Sequence, residues 1–257
     1  MIDMRRVVFV DLDDTLFQTQ RKNPDATRLA AVDRDGTPLS FRCSRQEAFL
    51  DWLAKDATVV PVTGRSVSAF HRVMIPFDGH AICSFGGVIL DPQGQPDPEW
   101  HGRVSEAADV TAGTMAFLLR AVSDATADHR VDARHRIIHD AGLPLYISVK
   151  HNAGKAEEMT RLATAVSASI PEGWTLHLNA NNMALLPPFL GKASAVAFFL
   201  ERLVGGRPVL TIGVGDSLTD LGFMALCDFA VTPSKSQIMS VLSSPTPGGA
   251  AGTGETA

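Results

Sequence analysis

Three carboxylates within four positions, Asp11, Asp13 and Asp14, follow directly on the apolar run Val7-Val8-Phe9-Val10. Four apolar residues in a row, three of them β-branched, predict a strand covered on both faces, which needs no polar alternation. Asp11 and Asp13 are two apart, so on an extended backbone both point to the same side. Two like charges that close repel unless a cation sits between them or one carboxyl keeps its proton. The pair therefore suits a Mg²⁺ site in which one carboxylate is a nucleophile and its neighbour a proton donor. The plain alternative is a strand that ends in a polar turn, where Asp is common.

Three further motifs stand at the ends of predicted elements. Thr63-Gly64 closes a second apolar strand at 58–62, Lys192 opens a helix, and Gly213-Val214-Gly215-Asp216-Ser217-Leu218-Thr219-Asp220 follows a strand at 208–212. Each has an ordinary reading taken alone: Thr63 as a helix cap, Lys192 as a solvated lysine, the glycine-rich run as a loop. Together, and in this order, they supply a nucleophile, an acid, two phosphate-binding groups and additional acids for a metal. All four fall where open α/β sheets bind ligands, outside the carboxyl ends of the strands.

The elements that must position these residues alternate. A hairpin is predicted from Leu29-Ala30-Ala31-Val32, the turn Asp33-Arg34-Asp35-Gly36 and an extended stretch at 37–42. Ser44-Arg45-Gln46-Glu47 matches a capping box and predicts a helix burying Phe49, Trp52 and Leu53. A third strand is predicted at 81–85. Strand and helix in alternation indicate a parallel sheet.

The pattern changes near residue 90. A Pro- and Gly-bearing stretch (Pro92, Gly94, Pro96, Pro98) reads as a linker, and a helix is predicted at 105–127 with Val110, Phe117, Leu118, Ala121 and Val122 on one face. A hairpin at 136–149 turning at 140–144, a helix at 155–169 carrying Met159, Leu162, Ala163 and Val166, and strands at 174–178 and 183–186 follow. Helix, strand, strand thus occurs twice, which predicts a four-stranded antiparallel sheet with two helices on one face. The α/β alternation resumes with a helix whose stripe is Val196, Phe199, Leu200, Leu203 and Val204. The predicted organisation is an α/β, Rossmann-like parallel-sheet core at 1–87 and 185–242, interrupted by an α+β insertion at 88–184. Residues 243–257, rich in Gly, Pro, Ser, Thr and Ala, are expected to be disordered.

Composition narrows the function. The chain has 257 residues, 45% hydrophobic and 20% charged, with a net charge of −5. That balance argues against a broad nucleic-acid footprint, which needs clustered Lys and Arg. Cys43, Cys83 and Cys227 are scattered and without CxxC spacing, so neither a disulfide framework nor a zinc site is expected, and a reducing cytoplasm is. No apolar stretch reaches membrane-spanning length and no signal-peptide pattern opens the sequence, so no membrane association is expected.

The four motifs resemble those of the haloacid dehalogenase (HAD) superfamily, whose phosphatases carry Asp-x-Asp, Thr/Ser, Lys and paired-acid motifs in this order. An insertion between the Thr and Lys motifs looks like the family's C2 cap. Two helix–strand–strand units resemble the C2B subtype of sucrose-phosphate, trehalose-phosphate and mannosyl-phosphoglycerate phosphatases. The resemblance implies a Mg²⁺-dependent phosphomonoester hydrolase acting on a small polar phosphorylated metabolite such as a sugar phosphate. It implies Asp11 as nucleophile and Asp13 as general acid and base. Asp11, the Asp13 carbonyl and Asp216 would be metal ligands, Thr63, Gly64 and Lys192 phosphate-binding groups, and Asp220 the group orienting Lys192 or a metal-bound water. Substrate contacts from Arg65 and from the cap's Arg134, Arg136, His139, Lys150, Asn179 and Asn182 are expected. Two alternatives stand beside it: a phosphomutase on the same fold, and a catalytically silent binding or regulatory protein. The sequence departs from the family pattern at Thr219, where many relatives have Asn, and at Phe85-Gly86-Gly87, where many have Asn-Gly.

Overall fold

The computed structural model describes residues 6–77, 79–205 and 209–243. Of the disordered tail expected over 243–257, Ser243 instead caps the last helix, its N–H bonded to the Met239 carbonyl at 2.9 Å, while 244–257, the strand start at Pro208 and the packed Leu203 side chain lie outside the described residues.

The first apolar run forms β1 (Arg6–Val10). Val7 and Phe9 pack into one core and Val8 and Val10 into another, so both faces of the strand are buried and no polar alternation is tolerated. The predicted hairpin is β2 (Arg28–Val32) and β3 (Pro38–Arg42). In α1 (Ser44–Ala54) the capping box is shifted by one residue from the sequence-based register. Cys43 is the N-cap, and its N–H donates to Gln46 Oε1 at 3.0 Å. The buried face is correspondingly Leu50 and Leu53, while Trp52 is 63% exposed and stacks on Phe49. β4 (Thr58–Pro61) lies parallel to β1. The single turn α2 (Val67–Phe70) is capped by Ser66, and β5 (Ala81–Cys83) pairs antiparallel with β6 (Val88–Leu90). β5 is shorter than the predicted strand because Ser84 and Phe85 turn the chain with positive φ.

The long helix α3 spans Pro98–Asp128, seven residues earlier than its apolar periodicity alone suggests. Asp97 accepts the Trp100 N–H at 2.8 Å and Pro98 occupies the first helical position, so the apparent linker proline is a helix start. Its buried stripe is Trp100, Val104, Ala108, Met115, Leu118 and Val122, whereas Val110 and Phe117 are exposed, contrary to expectation. β7 (Ala133–Asp140), β8 (Leu143–His151), α4 (Ala156–Ser167), β9 (Thr175–Asn179) and β10 (Asn182–Leu186) follow as predicted. They make an antiparallel sheet in the order β7-β8-β10-β9. Ile147, Val149, Met183 and Leu185 face α3 and α4 through Met115, Leu118, Met159, Leu162 and Val166. The alternate residues face away from the helices.

α5 (Lys192–Phe198) continues into a wider turn at Phe199–Val204. Then come β11 (Leu210–Val214), α6 (Leu221–Met224), β12 (Phe229–Val231) and α7 (Gln237–Leu242). The parallel sheet has the order β12-β11-β1-β4, with Val62 bridging to Ile82 to bring β5 alongside. The carboxyl ends of β1, β4 and β11 therefore lie side by side. Among the described residues no helix is long and apolar enough to cross a membrane.

Candidate active site

Asp11 leaves the end of β1, its N–H bonded to the Val214 carbonyl at 2.8 Å, and its side chain is almost fully buried. Lys192 Nζ, from the first turn of α5, lies 2.6 Å from Asp11 Oδ1 and 2.6 Å from Asp220 Oδ1. Thr15 Oγ1 donates to Asp11 Oδ2 at 3.2 Å and lies 3.3 Å from Asp216 Oδ1. Burial raises the Asp11 carboxyl well above the usual carboxylate range, with the charges of Asp220 and Asp13 adding to it and Lys192 opposing it. Burial by itself would lower Lys192, but Asp11 and Asp220 outweigh it and hold the ammonium charged.

Asp220 is saturated. Oδ1 takes Lys192, while Oδ2 accepts the Asp216 N–H, the Ser217 N–H at 2.9 Å and the Ser217 hydroxyl at 2.8 Å. Gly215 permits this loop: a Cβ there would lie 2.5 Å from the Asp220 Cβ. Thr219 shares a hydrogen bond with Ser217 Oγ at 2.7 Å.

The oxygens of Asp11, Asp216 and Asp220 come within 4.8 Å of one another. Burial, with Asp220 and Asp14, pushes Asp216 up to about 7. Carboxylates crowded this closely, two of them shifted upward, form a hard-oxygen donor set that fits a divalent cation such as Mg²⁺. With Asp220 spent on Lys192 and its own loop, Asp11 and Asp216 are the acids left to hold it.

Thr63 follows β4, its N–H bonded to the Ile82 carbonyl, and its Oγ1 accepts the Arg65 N–H at 3.1 Å. The helix cap is Ser66, so Thr63 is not needed for that task. A Cβ on Gly64 would meet the Phe85 ring at 2.6 Å. Arg65 bonds both oxygens of Asp13 and lies over the Phe17 ring, 5.0 Å from its centroid.

Asp11, Asp13, Thr63, Gly64, Arg65, Lys192 and Asp216 line a cavity of about 760 Å³ whose opposite wall is the sheet face turned away from α3 and α4, with Asp220 buried beneath it. Arg136, His139, Lys150, Asn179 and Asn182 all reach it. Arg134 does not: its Nη1 donates to Asn152 Oδ1 at 2.9 Å, outside the cavity. Tyr146, His177, Arg34 and Arg72, not singled out by sequence, also line it, as does Phe85 of the Phe85-Gly86-Gly87 run. Tyr146 and His177 were recoverable from the period-two alternation with Ser148 and Asn179, whereas nothing local distinguished Arg34 or Arg72. Phe85 meets Tyr146 and His177 edge-on, at 5.3 and 5.7 Å between centroids. Asp140 Oδ2, at the hairpin tip, accepts the Val67 N–H at 2.8 Å and the Ser84 hydroxyl at 2.6 Å, tying the two sheets together across the cavity.

No protein-family model and no curated protein matches this chain. Solved structures do. A sucrose-phosphatase from Synechocystis sp. PCC6803, in complex with sucrose and phosphate, superposes with a TM-score of 0.55 at 17% identity, over 93% of this chain and 86% of that one. A haloacid dehalogenase-like hydrolase from B. subtilis gives 0.51 at 14% identity, over 88% of each chain. The C-terminal domain of trehalose-6-phosphate phosphatase from C. albicans gives 0.51 at 13%, over 86% and 73%. At these identities the likeness is one of fold: the chain has the HAD-like α/β architecture.

Proposed function

We propose that this chain is a Mg²⁺-dependent phosphomonoester hydrolase acting through an aspartyl-phosphate on a small polar phosphorylated metabolite, with a sugar phosphate as the reference substrate. In this reading 1–87 and 185–242 are the catalytic core and 88–184 is a cap of the C2B kind. The observation that carries it is the bridge from Lys192 to Asp11 and Asp220 beside Asp216, at the floor of a cavity roofed by the antiparallel sheet. A buried carboxylate with a fixed cation next to it is a nucleophile with a ready phosphoryl-oxygen ligand.

Asp11 attacks phosphorus and the ester P–O bond breaks, with Asp13 giving its proton to the leaving alkoxide. A water then attacks the phosphorus of the aspartyl-phosphate, Asp13 takes its proton, and the Asp11 carboxylate is restored with release of phosphate. Thr63, the Gly64 N–H and Lys192 hold the transferring oxygens, and Asp220 fixes the aim of Lys192. Asp11, Asp216 and the Asp13 carbonyl would hold Mg²⁺, whose charge, when bound, offsets the repulsion between phosphoryl group and carboxylates. The retention of Asp11, Asp13 and Asp216 together favours an enzyme over a silent binding protein. The location proposed is the cytoplasm, with no nucleic-acid or membrane partner.

Phosphate release from a panel of phosphorylated metabolites, with Mg²⁺ and with EDTA, tests the reading. Turnover that needs Mg²⁺ and vanishes in Asp11→Asn supports it. Metal-independent turnover, or activity retained in the variant, would contradict it.

A further inference from the structure

The cavity contains more positive charge than the phosphoryl site uses. Lys192 is committed to Asp11 and Asp220, and Arg65 to Asp13. Four further cations line the same space: Arg34, Arg72, Arg136 and Lys150. None of the four has a carboxylate partner within ion-pair distance among the described residues. The remaining carboxylate of that wall, Asp140, is already accepting from Ser84 and Val67.

Their placement is convergent. Arg136 pairs in register with Ser148, and Lys150 is the next residue on the same face of β8, so the two are diagonal neighbours across one strand pair. Arg34 lies in the turn between β2 and β3, and Arg72 follows α2. The Val32 N–H donates to the Arg72 carbonyl at 3.1 Å, which sets these two on one flank of the cavity. Arg72 is aimed by Ser68, whose carbonyl and hydroxyl accept from Nη1 at 2.7 and 3.0 Å. Its Nε is buried and makes no hydrogen bond among the described residues. Solvated surface cations point apart into water. Here four of them line one concave space, Arg34, Arg136 and Lys150 exposed and Arg72 half-buried, and none is in ion-pair contact with the carboxylates of that space, so an entering anion is a partner open to them. A neutral disaccharide, such as the sucrose bound in the Synechocystis structure, would leave all four unanswered.

We propose that the substrate's leaving group carries an acidic group of its own, a carboxylate or a second phosphate, received by Arg136 and Lys150 of the roof with Arg34 and Arg72 of the flank. The proposal rests on the hydrolase reading for the orientation of the substrate. The phosphoryl group to be cleaved sits on Asp11, and the second anion lies towards the sheet β7–β10.

Two matched pairs of probes isolate the second anion and distinguish its source. 6-Phosphogluconate and glucitol 6-phosphate differ by a carboxylate against a hydroxymethyl. Fructose 1,6-bisphosphate and fructose 6-phosphate differ by a phosphate. Calorimetric affinities on Mg²⁺-loaded Asp11→Asn protein should favour the acidic member of at least one pair by about tenfold, the worth of one charge-assisted contact. Adding Arg136→Gln and Lys150→Gln should bring that ratio towards one, chiefly by weakening the acidic member, with circular dichroism verifying the fold. Equal affinities within both pairs would overturn the proposal, as would a preference that survives the double substitution or binding of none of the four. A ratio that behaves as stated while wild-type protein hydrolyses no phosphoester would count against the hydrolase reading and leave the anion site standing.

Discussion

Arg65 holds Asp13 by both carboxylate oxygens, Nε to Oδ2 and Nη2 to Oδ1, each at 2.7 Å. The residue to which proton transfer is assigned in the proposed reaction is thus gripped by the planar fork of Arg65, two positions after Thr63. For Asp13 to give or take a proton, one oxygen must come free of that fork.

Arg65→Lys keeps the charge but not the bidentate grip. It should lower kcat by roughly tenfold, a part of the roughly 10²–10⁴-fold that a positioned acid–base group contributes, with a smaller change in KM. Steady-state phosphate release measures both. An unchanged kcat would mean that the fork is structural only.

Gly64 touches Phe85 so closely that a methyl group would lie 2.6 Å from the ring. Gly64→Ala should destabilise by about 1–3 kcal/mol through overpacking, seen in the midpoint of urea unfolding. Phe85→Leu should relieve part of that cost in the double variant, because the two changes share one contact. Strict additivity would show that the clash is absorbed elsewhere.

Lys192 stands between two buried carboxylates. Lys192→Met leaves Asp11 and Asp220 facing each other without a cation, and should cost about 3–5 kcal/mol of stability, as breaking a buried ion pair does. Denaturant titration of the metal-free protein gives the number, and a loss under about 1 kcal/mol would mean that water already screens the group.

Lys155, which caps α4, and then His151, at the end of β8, hydrogen-bond Glu158 of α4 and hold its carboxyl down at about 2, against an ordinary 4.5. A depressed carboxylate stabilises the fold above its unfolded value, and that stabilisation drains away as pH falls through the folded one. The gap in stability between wild type and Glu158→Gln should therefore be constant above about 4.5 and shrink from there towards about 2. Thermal melts across that window measure it, and a gap independent of pH would remove these bonds as the cause.

Much of the fold was legible because its signals are local. The two-sided burial of β1 is written in Val7 to Val10, and the roof sheet in two helix–strand–strand units. Where reading failed, tertiary context overrode the local pattern. Pro98 looked like linker and is a helix start, because Asp97 caps it. Val110 and Phe117 fitted a helical face that α3 does not bury, since Trp100, Val104 and Ala108 set its rotation from the other end. In the site, residues tied to strand ends were found from their motifs. Arg34 and Arg72 were not, because they meet only when the hairpin β2–β3 docks on the segment after α2. Arg134, one same-face step from Arg136, was expected at the cavity but turns to Asn152.

The central claim is that Asp11 becomes phosphorylated. Wild-type protein, mixed with a substrate carrying a radiolabelled phosphoryl group in the presence of Mg²⁺ and quenched in acid within the first turnover, should retain label on the chain. Peptide mapping should place that label on Asp11, and Asp11→Asn should retain none. Turnover with no acid-stable, protein-bound label at any quench time, or label on another residue, would contradict the account.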